Sequence, residues 1–297
     1  MHSKKLILLM LIILTLGMFL TTSNVDAKVK TGKWRNMRWS YNTKSKVLKV
    51  WGNGYMDYVG DLGDSAGWTR YLKAYNAEKL VISGNVKSVG EMCFEGFLKL
   101  EEVVLPPSIY EVSSEAFNNC QMLKKLKLPY GLRKIKKDAF AGTAIKKLVI
   151  PGTVKRLDSE SLSCCKKLKE LIINSGVKIL GKEFLAGNDN LREIFLPKTL
   201  NKIAKEAFIG CGLEKLTIPL NVSKIGNGAF SGMDKLTVIK IKSTKVTKWG
   251  KNLFRSYEKQ PKKITVVVPK SKYKEYKKII KKNAGNKMVK VVKAKKF

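Results

Sequence analysis

A catalytic centre needs a base, an activated nucleophile or a cluster of metal ligands, and this chain is short of all three. Its one histidine is His2, so everything downstream lacks the imidazole of Ser-His-Asp and Cys-His schemes and of histidine metal sites. Five cysteines remain, Cys93, Cys120, Cys164, Cys165 and Cys211, and zinc held by cysteine alone would need four thiols brought together. "GNGYMDYVG" (52–60) lacks the third glycine of a phosphate-cradling loop at the needed spacing. "GDLGDSAG" (60–67) holds two aspartates, but the spacing matches no calcium loop and reads as a surface turn. A carboxylate pair can hydrolyse a glycosidic bond, yet the 23 Asp+Glu are few and mostly isolated. The residues point away from an enzyme, and no cofactor or metal is expected.

Cations are what the chain has in excess: 59 Lys+Arg and a net charge of +36. Such a charge says nothing about fold, but it attracts polyanions. Residues 1–27 combine Lys4 and Lys5, the uncharged run "LILLMLIILTLGMFL" (6–20) and the small-residue site "VDA". This is the layout of a secretory signal peptide. An uncleaved anchor is the alternative, although the run is shorter than the roughly 20 residues a spanning helix needs. No second long apolar run follows, so no transmembrane helix is expected in the mature chain. That segment carries a net +1 from Lys4, Lys5 and Asp26, which leaves +35 on the rest. Export makes nucleic acid an unexpected partner. An anionic cell-wall polymer, an acidic glycan or an anionic lipid surface fits better.

Elements that could position these charges recur at a fixed period. Phe94, Phe117, Phe140, Leu162, Leu185, Phe208 and Phe230 stand 22 or 23 residues apart, and so do Leu100, Leu123, Ile145, Leu168, Leu191, Leu213 and Leu236. One unit reads clearly in "LKKLKLPYGLRKIKKDAF" (123–140). Leu126 and Leu128 alternate with Lys127 as a strand, Pro129 ends it because proline cannot donate to a ladder, and Leu132 and Ile135 turn a second apolar edge inward. "KKDAF" reads as a short helical or 3-10 turn, with Ala139 allowing close approach and Phe140 filling the core. Such a unit buries its apolar face only against copies of itself, as in a solenoid.

The segments "LPPSIYEVSSEAFNNCQMLKKLKLP" and "LPKTLNKIAKEAFIGCGLEKLTIP" resemble the BspA-type leucine-rich repeats of bacterial surface proteins over roughly residues 77 to 257. "DSESLSCC" and "GKEFLAGN" depart from it by replacing Ala-Phe with Ser-Leu and Phe-Leu. The resemblance implies an α/β-repeat solenoid with a parallel sheet on its concave face and short helical or 3-10 turns on its convex face. It also implies a role in adhesion or surface binding, with no catalytic residues.

Caps are expected at both ends, because a solenoid must hide its terminal cores. Residues 28–76 would form the first, with a hairpin over 37–54 turning at Asn42 to Lys46 and a short helix presenting Trp68, Tyr71, Leu72 and Tyr75. Residues 258–297 would form the second, a β-α-β unit with strands at 264–269 and 288–292 and a helix over 271–282 that turns Tyr273, Tyr276 and Ile280 inward. The second holds 15 lysines against 2 glutamates. Cys120, Cys165 and Cys211 recur two repeats apart, about 10 Å at ~4.8 Å per stacked strand. A disulfide needs Cα atoms within about 7 Å, so the thiols are expected to be free and buried.

Two faces could bind. The concave strands would present Val81, Val104, Lys127, Val149, Ile172, Phe195, Thr217 and Lys240, and Val104, Val149, Ile172 and Phe195 are the candidate contacts for a protein or glycan ligand. An outward apolar row can mark an interaction site, or β-branched residues can simply suit strands. After the proline, Lys87, Arg133, Lys134, Lys155, Arg156, Lys178, Lys202 and Lys224 would form one basic ridge for a polyanion, or a merely solvated face. The leading expectation is a secreted or envelope-associated, adhesin-like binding protein. The alternative is a structural wall protein whose only ligand is the wall polymer.

Overall fold

The computed structural model describes residues 28–56, 67–70, 75–258 and 262–295. The expected signal peptide, Tyr71 and Leu72 lie outside these residues. Strands β1 (Val29–Trp34), β2 (Met37–Asn42) and β3 (Val47–Gly54) form an antiparallel meander. The β2–β3 turn is held by Asn42, whose Oδ1 accepts the Lys44 and Ser45 amides at 2.9 Å. β1 was not foreseen, because its "VKTGKW" carries little alternation, and only Trp34 in it is buried. The helix α1 (Gly67–Arg70) packs Trp68 fully into the core, where its Nε1–H donates to the Cys93 carbonyl. Tyr75 does not join it inside: the ring is 36 % exposed and leans on Phe97 at 4.7 Å.

Each coil then supplies two strands. One series, longer than two residues except at β8, is β4 (Lys79–Val86), β6 (Glu102–Val104), β8 (Lys125–Leu126), β10 (Lys147–Ile150), β12 (Glu170–Ile173), β14 (Glu193–Phe195), β16 (Lys215–Ile218) and β18 (Val238–Ile241). Between them lie the two-residue strands β5 (Ser88–Val89), β7 (Glu111–Val112), β9 (Lys134–Ile135), β11 (Arg156–Leu157), β13 (Ile179–Leu180), β15 (Lys202–Ile203), β17 (Lys224–Ile225) and β19 (Lys248–Trp249). All pairings within the coils are parallel and in register. Both marker ladders are buried throughout, as a shared core demands. β20 (Ile264–Val268), a helix α2 (Tyr273–Asn283) and β21 (Val289–Lys293) follow, with Tyr276 and Ile280 buried and Tyr273 only partly so.

Two expectations change. The corners expected to be helical are turns. In each, one residue sits in the left-handed region, as at Glu115, Asp138, Glu160, Glu183 and Glu206 with φ of 50–56°, and a helix cannot pass through that conformation. Amides there bond across coils instead, for example Phe117 N–H to the Ala139 carbonyl at 3.0 Å.

The long-strand face is also not one sheet. The eight short strands form a single ladder from β5 to β19, but the long strands divide into β1 to β8, β10 to β14, and β16 to β21. The breaks have a sequence cause. A second left-handed column runs Gly96, Asn119, Gly142, Cys164, Gly187, Gly210 and Gly232. From that column to the next core Leu or Ile there are four residues in most coils, but three from Gly142 to Ile145 and from Gly210 to Leu213. Those two shortened loops lead into β10 and β16, the strands that fail to join their predecessors. Elsewhere two successive amides grip one carbonyl of the coil before, as Lys124 and Lys125 both bond Glu101 O at 3.0 Å. Among the described residues the amides of Lys146, Lys147, Glu214 and Lys215 make no such bond.

Candidate functional site

The long-strand face carries the apolar row where period two places it. Val81 is opposite Val104, Val149 opposite Ile172, Ile172 opposite Phe195, and Thr217 opposite Lys240. Val104, Val149 and Phe195 are 41, 42 and 49 % exposed, while Ile172 between its neighbours is half-buried. The strand breaks divide the four candidate contacts. Val149, Ile172 and Phe195 share the β10–β14 sheet, and Val104 lies across the first break.

Cover is uneven along this face. Leu148, Ile150, Leu171 and Ile173 are buried, whereas Leu126 on β8 and Ile194 and Leu196 at β14 are only partly covered. Two open concavities lie on this face, one of 780 Å³ over the paired strands β6 and β8 and one of 390 Å³ across the second break, over β14 and the β16 coil. Two exposed side chains that the sequence reading missed stand in them: Tyr130, 84 % exposed, and Leu220, 52 % exposed. Both follow the strand-ending proline directly, a position that holds Gly152 and Lys198 in other coils. An aromatic or a leucine at a loop position was the available signal.

On the short-strand face the expected single ridge is two neighbouring columns. Arg133, Lys155 and Lys178 precede their strands, while Lys134, Arg156, Lys202 and Lys224 are first residues within them. Lys87, in the first column, is half-buried. Lys134 and Arg156 are neutralised internally, by Glu111 at 3.0 Å and Asp158 at 2.7 Å. The Glu111 hydrogen bond, and then its charge, hold the Lys134 ammonium above the usual lysine range. Among the described residues Arg133, Lys155, Lys178, Lys202 and Lys224 have no carboxylate partner, nor does Lys248, which the sequence reading omitted. Six successive coils from β9 to β19 therefore each expose one uncompensated cation, about 4.8 Å apart, stepping from one column to the other between Lys178 and Lys202. The Tyr110 ring packs against two cations of this face, Arg133 at 5.7 Å and Lys134 at 5.3 Å, beside a concavity of 620 Å³ that reaches Lys155.

The sequence matches the profile of the BspA-type leucine-rich repeat region in six copies, over residues 70–192 and 159–272. The chain belongs to this repeat family. Among solved structures it is similar to a leucine-rich repeat protein from Bacteroides ovatus, at 22 % identity and a TM-score of 0.53, covering 74 % of this chain and 61 % of that one. This chain thus spans about three fifths of that protein's length. A leucine-rich repeat protein from Eubacterium ventriosum is similar at 14 % identity and a TM-score of 0.46, covering 82 % of this chain and 79 % of that one. These likenesses concern the fold. No curated protein matches the chain.

Within the leucine-rich repeats the buried cysteines do more than fill space. Their thiols donate to carbonyls of the coil before: Cys120 to Phe94 O at 3.1 Å, Cys165 to Phe140 O at 3.2 Å and Cys211 to Leu185 O at 3.1 Å. In the coil between the last two, Asn188 Nδ2 makes the equivalent bond to Leu162 O at 2.8 Å, whereas in the coil between the first two Thr143 Oγ1 donates to Phe140 O of its own coil at 3.0 Å. Burial pushes the Cys120 thiol up to about 12 and Cys165 to about 11, and raises Cys211 in the same way. A thiol held protonated is a poor nucleophile. Cys164 differs: it is exposed and stands in the left-handed glycine column. No group of His, Cys, Asp and Glu among the described residues could hold a metal ion, and no helix among them is long and apolar enough to cross a membrane.

Proposed function

We propose that this protein is a secreted or cell-surface, non-enzymatic binding protein of adhesin type. It takes a protein or glycan ligand on the long-strand face and an anionic polymer along the short-strand face. The observation that carries the first half is the exposure of Val104, Val149 and Phe195 at 41 to 49 % in a row where a solvated sheet would place polar side chains. An apolar row costs solubility unless something covers it. The second half rests on the file of unpaired cations. Like charges stacked this closely repel, and a bound polyanion relieves the repulsion.

The test is capture by the mature protein of matrix proteins, glycans and purified walls. Val149→Ser with Phe195→Ser should abolish capture of the macromolecular ligand and leave wall retention intact. If wall polymer alone is captured, and these substitutions change nothing, the structural wall-protein reading replaces the adhesin reading.

A further inference from the structure

We infer that the two concavities of the long-strand face, one beside the first sheet break and one across the second, form a paired anchor site for an extended, acidic polypeptide with two large apolar side chains about six residues apart. This rests on the reading of the long-strand face as the ligand face, and narrows it. One concavity lies over the paired strands β6 and β8, beside the first break, and the other spans the second break between β14 and β16; both lie on that face. The first is walled by Val104, Leu105, Pro107, Leu126, Leu128 and Tyr130. The second is walled by Ile194, Phe195, Leu196, Pro219 and Leu220. Glu102, Lys125 and Lys127 also line the first, with Glu102 already held by Lys79 at 2.7 Å, and Lys198, Thr217 and Lys242 line the second. Against the apolar part of either wall, burying an unpaired hydroxyl is costly. An aliphatic or aromatic side chain meets no such penalty.

The spacing follows from the coils. From β6/β8 to β14/β16 is four coils, about 19 Å at ~4.8 Å each, which an extended chain at ~3.3 Å per residue covers in about six residues. Between the two anchors the chain would cross Val149 and Ile172, the apolar middle of the row. Charge selects the flanks. Lys127 lines the first concavity and Lys198 and Lys242 the second, and among the described residues none of the three is paired with a carboxylate. Glu170, on the path between, is held by Lys147 at 2.8 Å, and Glu193 lies at the opposite end of its strand from Lys198. Linking two weak anchors on one chain makes the second binding event intramolecular, so geometry rather than either pocket alone sets the affinity.

The probes are labelled synthetic peptides with two Phe anchors separated by two, five or eight residues of Asp, Ser and Gly, titrated by fluorescence anisotropy. The five-residue spacer should bind tightest. Tyr130→Ser and Leu220→Ser, both at exposed side chains, should each weaken that peptide about tenfold, to the level of a one-anchor peptide. Equal affinity at every spacer length overturns the proposal. Weakening by Val149→Ser at all spacers alike, with Tyr130→Ser and Leu220→Ser silent, overturns the paired site but leaves the face reading standing. Binding that no substitution on this face alters overturns both.

Discussion

The ring of Phe117 lies parallel to that of Phe140, with centroids 5.6 Å apart and planes 5° from parallel. The stack extends back through Phe94 to Trp68 and stops at Leu162 and Leu185, then resumes from Phe208 through Phe230 to Phe254. Two aromatic spines are thus joined by two aliphatic coils. Phe140→Ala, at the end of the first spine, should cost about 3–5 kcal/mol. Because coils contact only their neighbours, the loss stays local and unfolding becomes less cooperative. An unchanged melting curve by calorimetry would count against the packing described.

The sheet breaks make a constructive prediction. One residue inserted between Ala144 and Ile145 restores the longer loop, so β10 should pair with β8. The amides of Lys146 and Lys147 should then gain protection in hydrogen exchange. Unchanged exchange would mean that loop length is not the cause of the break.

Cysteine chemistry should be sharply divided. In the native protein a thiol-directed alkylating reagent should modify Cys164 quickly. The buried Cys120, Cys165 and Cys211, held protonated, should react only on unfolding. The denatured, unreduced protein should titrate for five thiols. Fast native modification of a second thiol would show that the coil interior is open.

The left-handed acidic column predicts a pH effect. Burial, and then the charges of Asp138 and Glu183, hold the Glu160 carboxyl above its usual range. A carboxyl raised on folding penalises the folded state above its folded pKa, and the penalty is relieved as pH falls through that pKa. Glu160→Gln should therefore stabilise the protein at pH 7 by about 0.5 kcal/mol, or roughly 1–2 °C in Tm. The gain should fade as pH approaches 4. A destabilised variant at pH 7 would contradict this.

Much of this structure was legible in the sequence because a solenoid writes its core as a period. Phe140 and Leu168 could be assigned to the interior, and Val149 and Phe195 to an outward row, from spacing alone. Ion pairing was less legible: Lys134 and Arg133 are adjacent in sequence, yet only Lys134 meets Glu111, which belongs to the coil before. The breaks were hidden in a single missing residue, visible as the 22-residue intervals at Ile145 and Leu213 but without meaning until the ladder was seen. Tyr130 escaped because it lies on neither apolar ladder.

The most direct test of the account is retention on a purified anionic wall polymer, such as a wall teichoic acid, as salt is raised. Exposed charges are screened beyond about 8 Å at physiological strength, so retention should fall steeply above it. Replacing Arg133, Lys155, Lys178 and Lys202 by Ser should weaken it strongly. Replacing the internally paired Lys134 and Arg156 should weaken it less, and Phe195→Ser should not affect it. Retention that is indifferent to salt, or lost with Phe195→Ser while the basic substitutions do nothing, would contradict the assignment of the two faces.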